Sequence, residues 1–410
     1  MSVATRRSLW AALILGVLVA IVVGGAVLRT EQQSQTRPTP TSTGTGTGTG
    51  TEDKASPSGS APSDASTEEE LVATTLEALD ERARVAQLFL VGVPLDDLDA
   101  GDALAEDGLG GLFMAGRSQA PTADLAEATD RWQSLAPGPA LWIAADQEGG
   151  AVQTFKGPGF DRLPTAAEQG ALPPAELAAM ARTMGEQLAA AGVNLNLAPV
   201  VDVVPAGSEA GNEPIGAFGR QYGSTASAVR SAAGAVMAGL AEAGVTSTLK
   251  HFPGLGRVTG NTDTSAGVVD RVTTAGDEQV AAFGALAASP AHPFVMMSSA
   301  TYQQIDPDHQ AAFSRTVLTD LLRGQLGFDG VVLTDDVGNA AAVQDLDAGE
   351  RAVRFLEAGG TMVLTVEPSI VAGMVDAVLA RTATDPQFAE QVESAVATAL
   401  TAKARAGLLG

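Results

Sequence analysis

The sequence predicts an α/β fold, a (β/α)8 barrel of the TIM type, preceded by a transmembrane helix and a disordered linker. Three observations carry the barrel. First, a helix-forming stretch that ends in glycine recurs, and an apolar run follows at once. Leu188-Ala-Ala-Ala-Gly192 before residues 193–200 and Leu240-Ala-Glu-Ala-Gly244 before residues 245–249 are the clearest cases. Glycine accepts the left-handed turn that ends a helix, and a buried strand directly after it is the grammar of repeated αβ units. Second, eight candidate strands can be marked, with helical stretches between most of them. Third, roughly 340 residues follow Glu70, a size that suits the barrel with insertions. The structural alternative, a doubly wound open sheet, finds no Gly-x-Gly-x-x-Gly fingerprint after a strand.

Taken in order, the chain opens with Arg6 and Arg7 and then an uninterrupted apolar run, residues 9–28, closed by Arg29. That run is long enough to cross a bilayer as a helix. Basic residues before it favour an orientation with the bulk of the chain outside the cytoplasm. Residues 1–29 are therefore expected to anchor the protein to the cell membrane. The rival is a cleaved signal near Gly24-Gly25-Ala26 that leaves a secreted chain. Residues 30–66 carry Pro38-Thr39-Pro40, a Thr-Gly alternation and almost no apolar side chains, which predicts a disordered linker. Residues 67–410 are the predicted barrel.

Composition narrows the function. The net charge of -24 argues against nucleic-acid binding, which calls for a basic footprint. The absence of cysteine excludes disulfides and thiolate metal sites. With no zinc-type ligand spacing and no P-loop, neither metal nor cofactor is expected.

Within the barrel region a helical stretch, residues 67–87, leads into the first strand, residues 88–93. The others are 111–114, 141–145, 193–200, 245–249, 294–298, 331–333 and 361–366, and helical residues 367–409 close the barrel. Active sites of this fold lie at the C-terminal ends of the strands. Polar residues collect there: Asp146-Gln147-Glu148-Gly149-Gly150 after the third strand, Asp202 after the fourth, and Arg220 in a glycine-rich loop. Lys250-His251 follow the fifth strand, Ser298-Ser299 end the sixth, and Asp335-Asp336 follow the seventh. Lysine occurs only at positions 54, 156, 250 and 403, and histidine only at 251, 292 and 309. A lone carboxylate after a strand is commonly just a helix N-cap. Several strand ends carrying carboxylates and cations toward one rim point instead to a polyhydroxylated ligand held by charge-assisted hydrogen bonds.

The stretches Ala145-Asp146-Gln147-Glu148-Gly149-Gly150, Asn196-Leu197-Ala198-Pro199-Val200, Lys250-His251-Phe252-Pro253-Gly254 and Gly327-Phe328-Asp329-Gly330-Val331-Val332-Leu333-Thr334-Asp335-Asp336 resemble, in this order, motifs of the glycoside hydrolase family 3 barrel. The form of the Lys-His-Phe-Pro-Gly motif and the lack of room for a second domain resemble its single-domain β-N-acetylhexosaminidase branch. The resemblance implies a retaining hydrolase that releases terminal β-linked N-acetylglucosamine, with cell-wall fragments as the expected source. It implies Asp335 as nucleophile and Asp146, Arg220, Lys250 and His251 as the grip on the sugar hydroxyls. Asp336 is expected to cap or to support its neighbours. A retaining glycosidase needs an ionised carboxylate below the anomeric carbon and a proton donor beside the leaving oxygen. Lys250 and Arg220 are expected to keep Asp335 ionised.

The proton donor departs from the pattern. Where the branch carries Asp-Ser-His, this chain reads Gly260-Asn261-Thr262-Asp263-Thr264-Ser265 with no histidine. Counted without gaps from Lys250, Asp263 stands in the histidine's place; with a two-residue insertion it matches the aspartate and Ser265 replaces the histidine. Ala151 and Thr154 also stand where arginines are common, and Leu255 replaces a histidine. Asp263 is thus the candidate acid/base, since a desolvated carboxylic acid can serve that role. The alternative is a sugar-binding protein that kept the pocket and lost its proton donor.

Overall fold

The computed structural model describes residues 64–409. The expected membrane span and most of the expected linker lie outside these residues. No helix among the described residues is long and apolar enough to cross a membrane.

All eight expected strands form, and they make one parallel sheet. In chain order they are β1 (Phe89–Pro94), β2 (Gly111–Ala115), β3 (Trp142–Ala145), β4 (Leu195–Asn196), β5 (Thr246–Phe252), β6 (Phe294–Met297), β7 (Val332–Thr334) and β8 (Val363–Thr365). Each pairs in parallel with its chain-order neighbour from β1 through β7, and β8 returns to pair with β1. The remaining seam, β7 to β8, is closed by a parallel bridge between Leu333 and Met362 and by Thr334 N–H donating to Met362 O at 3.1 Å. The result is a barrel with its last seam thinly stitched.

The glycine signals work as their chemistry requires. Gly192 and Gly244 take φ of 75° and 74° at the ends of helices Pro174–Ala190 and Ala226–Glu242. The next residue in each case, Val193 or Val245, donates its N–H back to Leu188 O or Leu240 O at 3.0 Å. That bond satisfies an orphan helix carbonyl and sends the chain straight into the next strand. Along the strands of the ring, Leu90, Leu112, Ile143, Leu249, Val295 and Leu333 are buried. Truncating any of them to alanine costs about 2–5 kcal/mol.

Several boundaries differ from expectation, each for a local reason. The opening helix spans Asp64–Ala78 and then breaks, because Asp80 accepts from Ala83 N–H at 2.8 Å and caps a second helix, Glu81–Ala86. Strand β4 is only Leu195–Asn196; Pro199 has no N–H to extend the ladder. Strand β5 runs on to Phe252, so Lys250 and His251 sit inside a strand rather than after one. The C-terminal stretch divides into Val371–Thr382 and Pro386–Arg405, the second capped by Asp385.

Candidate active site

Four of the predicted residues meet at the C-terminal rim. Lys250, in β5, donates from Nζ to Asp146 Oδ1 at 2.6 Å, directly after β3. The same Nζ lies 2.7 Å from Glu148 Oε1. Glu148 in turn accepts a two-pronged bond from Arg220, Nε to Oε2 at 2.9 Å and Nη2 to Oε1 at 2.8 Å. Two cations and two carboxylates therefore close into one network, with Lys250 and Glu148 both 3% exposed by side chain. Burial alone would push the Glu148 carboxyl up, but Arg220 and Lys250 pull it down to about 2. Burial likewise works against the Lys250 ammonium, yet Asp146 and Glu148 hold its pKa above the ordinary lysine value.

Glu148 is not among the residues that the sequence assigns to the site, although a signal for it exists. Asp146 and Glu148 are two apart in extended backbone, and alternate residues of such a run share a face. Asp202, the acid after the fourth expected strand, has a role that the sequence does not show. Its Oδ2 lies 2.7 Å from His251 Nδ1, while Oδ1 accepts the N–H groups of His251 at 3.1 Å and Leu255 at 2.6 Å. Asp202 thus fixes both the ring of His251 and the turn after it. A carboxylate on Nδ1 favours a proton on that nitrogen and turns Nε2 away from Asp202.

Asp335 follows β7 and is half-buried. Its Oδ1 accepts from Asp336 N–H at 2.9 Å, and no salt bridge reaches it among the described residues. Burial raises its pKa above the usual aspartate range. His251 opposes that shift, Asp263 adds to it, and Lys250 opposes it more weakly. Lys250 and Arg220 do not offset the effect of burial on this carboxyl. Both cations are engaged by Glu148, and of the two only Lys250 contributes, too weakly to reverse the effect of burial.

Asp336 is a loop brace. Its Oδ1 accepts from Gly338 N–H at 2.8 Å and Val366 N–H at 2.9 Å, and its Oδ2 from Asn339 N–H at 3.0 Å. Asp263 sits on the segment between β5 and β6, with its side chain exposed. Its backbone O accepts from Ala341 N–H at 3.1 Å, and Thr262 O accepts from Ala342 N–H at 3.0 Å. That docks the Asp263 segment on the loop that follows Asp335, and the influence of Asp263 on the Asp335 carboxyl reflects the approach. Of the six candidates, three share the ion network, His251 is held by Asp202, and the two remaining carboxylates join no salt bridge among the described residues.

Comparison with known proteins fits this arrangement. Residues 79–398 match the family model for the Glycosyl hydrolase family 3 N terminal domain. A beta-hexosaminidase of Xanthomonas campestris pv. campestris (strain B100) is 36% identical over 307 residues, covering 72% of this chain and 89% of that protein. The crystal structure of a beta-N-acetylhexosaminidase from Beutenbergia cavernae DSM 12333 is 50% identical with a TM-score of 0.74, covering 79% of this chain and 98% of that one. A glycoside hydrolase family 3 beta-N-acetylglucosaminidase from Paenibacillus sp. str. FPU-7 is 28% identical with a TM-score of 0.70, covering 80% of this chain and 63% of that one. With its eight-stranded parallel ring, its charged C-terminal rim and these relatives, the chain belongs to glycoside hydrolase family 3 and is a glycoside hydrolase.

Proposed function

We propose that the protein releases terminal β-linked N-acetylglucosamine with retention, through a covalent intermediate on Asp335. The observation that carries this reading is the contrast at the rim. Every other strand-end acid described above is engaged by cations, by an imidazole or by several backbone N–H groups, whereas Asp335 keeps only one backbone hydrogen bond. A nucleophile must have an oxygen available to form a bond.

In the first step an Asp335 oxygen bonds to the anomeric carbon as the glycosidic C–O bond breaks, and Asp263 gives its proton to the departing oxygen. In the second, Asp263 takes a proton from water, the water oxygen bonds to the anomeric carbon, and Asp335 leaves as a carboxylate. Asp146, Arg220, Lys250 and His251 grip the sugar hydroxyls; the ion network holds three of them fixed before substrate arrives, and Asp202 holds the fourth. The named relatives support N-acetylglucosamine as the sugar. Residues 6–29 support an extracytoplasmic setting with cell-wall fragments as the source, a setting that membrane fractionation of the full chain would test.

The exposed carboxylate of Asp263 is what favours the second reading, a sugar-binding protein without turnover. Two assays decide between them. Asp335→Ala should abolish hydrolysis of aryl N-acetylglucosaminides while the thermal transition persists. Asp263→Asn should depress cleavage of natural disaccharides more than that of nitrophenyl glycosides, with azide restoring turnover on the latter. Absence of hydrolysis by the unaltered protein on every glycoside, alongside saturable sugar binding, would establish the binding protein instead.

A further inference from the structure

We propose that Arg257 and Asp277 form a positioning pair that fixes the arm carrying Asp263, and that this arm is set against the nucleophile through backbone contacts rather than through charge. The inference rests on the reading of Asp263 as the proton donor. The arm leaves β5 after Phe252 and returns at a short strand, Val269–Asp270.

Its two roots are tied together. Arg257 meets Asp277 fork to fork, Nη1 to Oδ2 at 2.5 Å and Nη2 to Oδ1 at 3.0 Å, and Nη1 also reaches Thr273 Oγ1 at 3.2 Å. Thr273 Oγ1 donates to Asp270 Oδ2 at 2.7 Å, and Asp270 Oδ1 accepts from Val272 and Thr273 N–H, both at 2.8 Å. Arg257 at the entry and Asp270 at the exit therefore share one partner, Thr273. The pair is mostly shielded, with side chains 24% and 18% exposed, and two parallel bonds give it directional rigidity that an open surface pair lacks.

The tip of the arm is fixed separately. Asn261 Oδ1 accepts from Asp263 N–H at 3.0 Å, and Asn261 O accepts from Ser265 N–H at 2.8 Å, which closes a tight turn around Asp263. The carbonyls of Thr262 and Asp263 then dock on Ala342 and Ala341, in the loop that Asp336 braces from the other side. The Asp263 carboxylate itself joins no salt bridge among the described residues. Its position is consequently set by its backbone, and the backbone is held by the root pair and the tip docking. An acid displaced by about 1 Å can lose on the order of 100-fold in rate. Loosening the root should thus remove acid assistance without touching the sugar grip.

The test is kcat/KM across aryl N-acetylglucosaminides of graded leaving-group pKa. It uses Arg257→Ala, Asp277→Asn, the charge exchange Arg257→Asp with Asp277→Arg, Asp263→Asn, and Arg257→Ala combined with Asp263→Asn. Arg257→Ala should leave activated leaving groups within a few-fold of the parent and lower poor ones by about 10- to 100-fold. Asp277→Asn, which keeps one hydrogen bond, should fall between, and the charge exchange should recover part of the loss. In the Asp263→Asn background Arg257→Ala should have little further effect. Equal losses across the whole series, or full additivity with Asp263→Asn, would overturn the positioning role. If Asp263→Asn is steep and Arg257→Ala and Asp277→Asn are flat, only this inference fails. If Asp263→Asn is itself flat, the proton-donor reading fails and takes the inference with it.

Discussion

Two lysines are buried in this barrel, and its two ends treat them in opposite ways. Lys250, at the C-terminal rim, touches Asp146 and Glu148, and its pKa is held above the ordinary value. Lys403, in helix Pro386–Arg405, is fully buried and among the described residues donates only to Gln87 Oε1 at 2.7 Å, just before β1. Burial lowers its pKa to about 7. A charge is kept where two carboxylates compensate its desolvation and is half surrendered where a neutral amide is the only partner. The rim that must recognise a polar ligand is built from compensated charge, while the opposite end tolerates a lysine mainly for its length and packing.

The largest effect on the compensated end is expected at Glu148. Glu148→Gln leaves Lys250 and Arg220 short of a negative charge in a buried setting, and should cost about 3–5 kcal/mol of stability in denaturant titration. In the parent protein the Glu148 pKa is depressed, so its contribution is present above the ordinary carboxyl range and is lost as pH falls from about 4.5 toward 2. Acid unfolding monitored by circular dichroism should show that loss, and the Gln variant should lack it.

The opposite sign is expected at Lys403. The unfolded chain binds this proton up to the ordinary lysine pKa, while the folded protein releases it near 7. Stability should therefore rise as pH climbs from about 7 toward 10.5. Lys403→Met should flatten that slope and raise stability at pH 7 by on the order of 1 kcal/mol, net of leaving Gln87 Oε1 unpartnered. Destabilisation at pH 7 would mean that the ammonium, not the stem, is what the fold needs.

The smallest stability effect is expected at Asp335, in contrast to its neighbour Asp336. Asp335 has a raised pKa, so its ionised form costs stability as pH rises through the folded-state value. Asp335→Asn should leave the fold at least as stable at pH 7 while hydrolysis is lost. Asp336→Ala removes the acceptor for three backbone N–H groups and should lower stability by about 1–3 kcal/mol.

Much of this was legible in the sequence because the signals were local. Gly192 and Gly244 announce helix ends by a conformation that other residues resist, and the strand after each glycine is named by its β-branched content. Lys250 and His251 stood out by rarity, and Asp335 by motif. Glu148 and Asp202 were not assigned because their importance is a property of partners distant in the chain, Arg220 and His251, that only the closed ring brings together. The bracing of Asp263 by Ala341 and Ala342 was invisible for a stronger reason. It is made by backbone atoms, which carry no side-chain signature.

Asp335 is the residue on which the proposed covalent step depends. The protein is incubated with a 5-fluoro-N-acetylglucosaminyl fluoride, which slows release of the covalent intermediate, then digested, and the modified peptide is sequenced by mass spectrometry. One sugar on Asp335, absent from the Asp335→Asn variant, is the predicted result; a sugar on Asp336 or on any other carboxylate would contradict it.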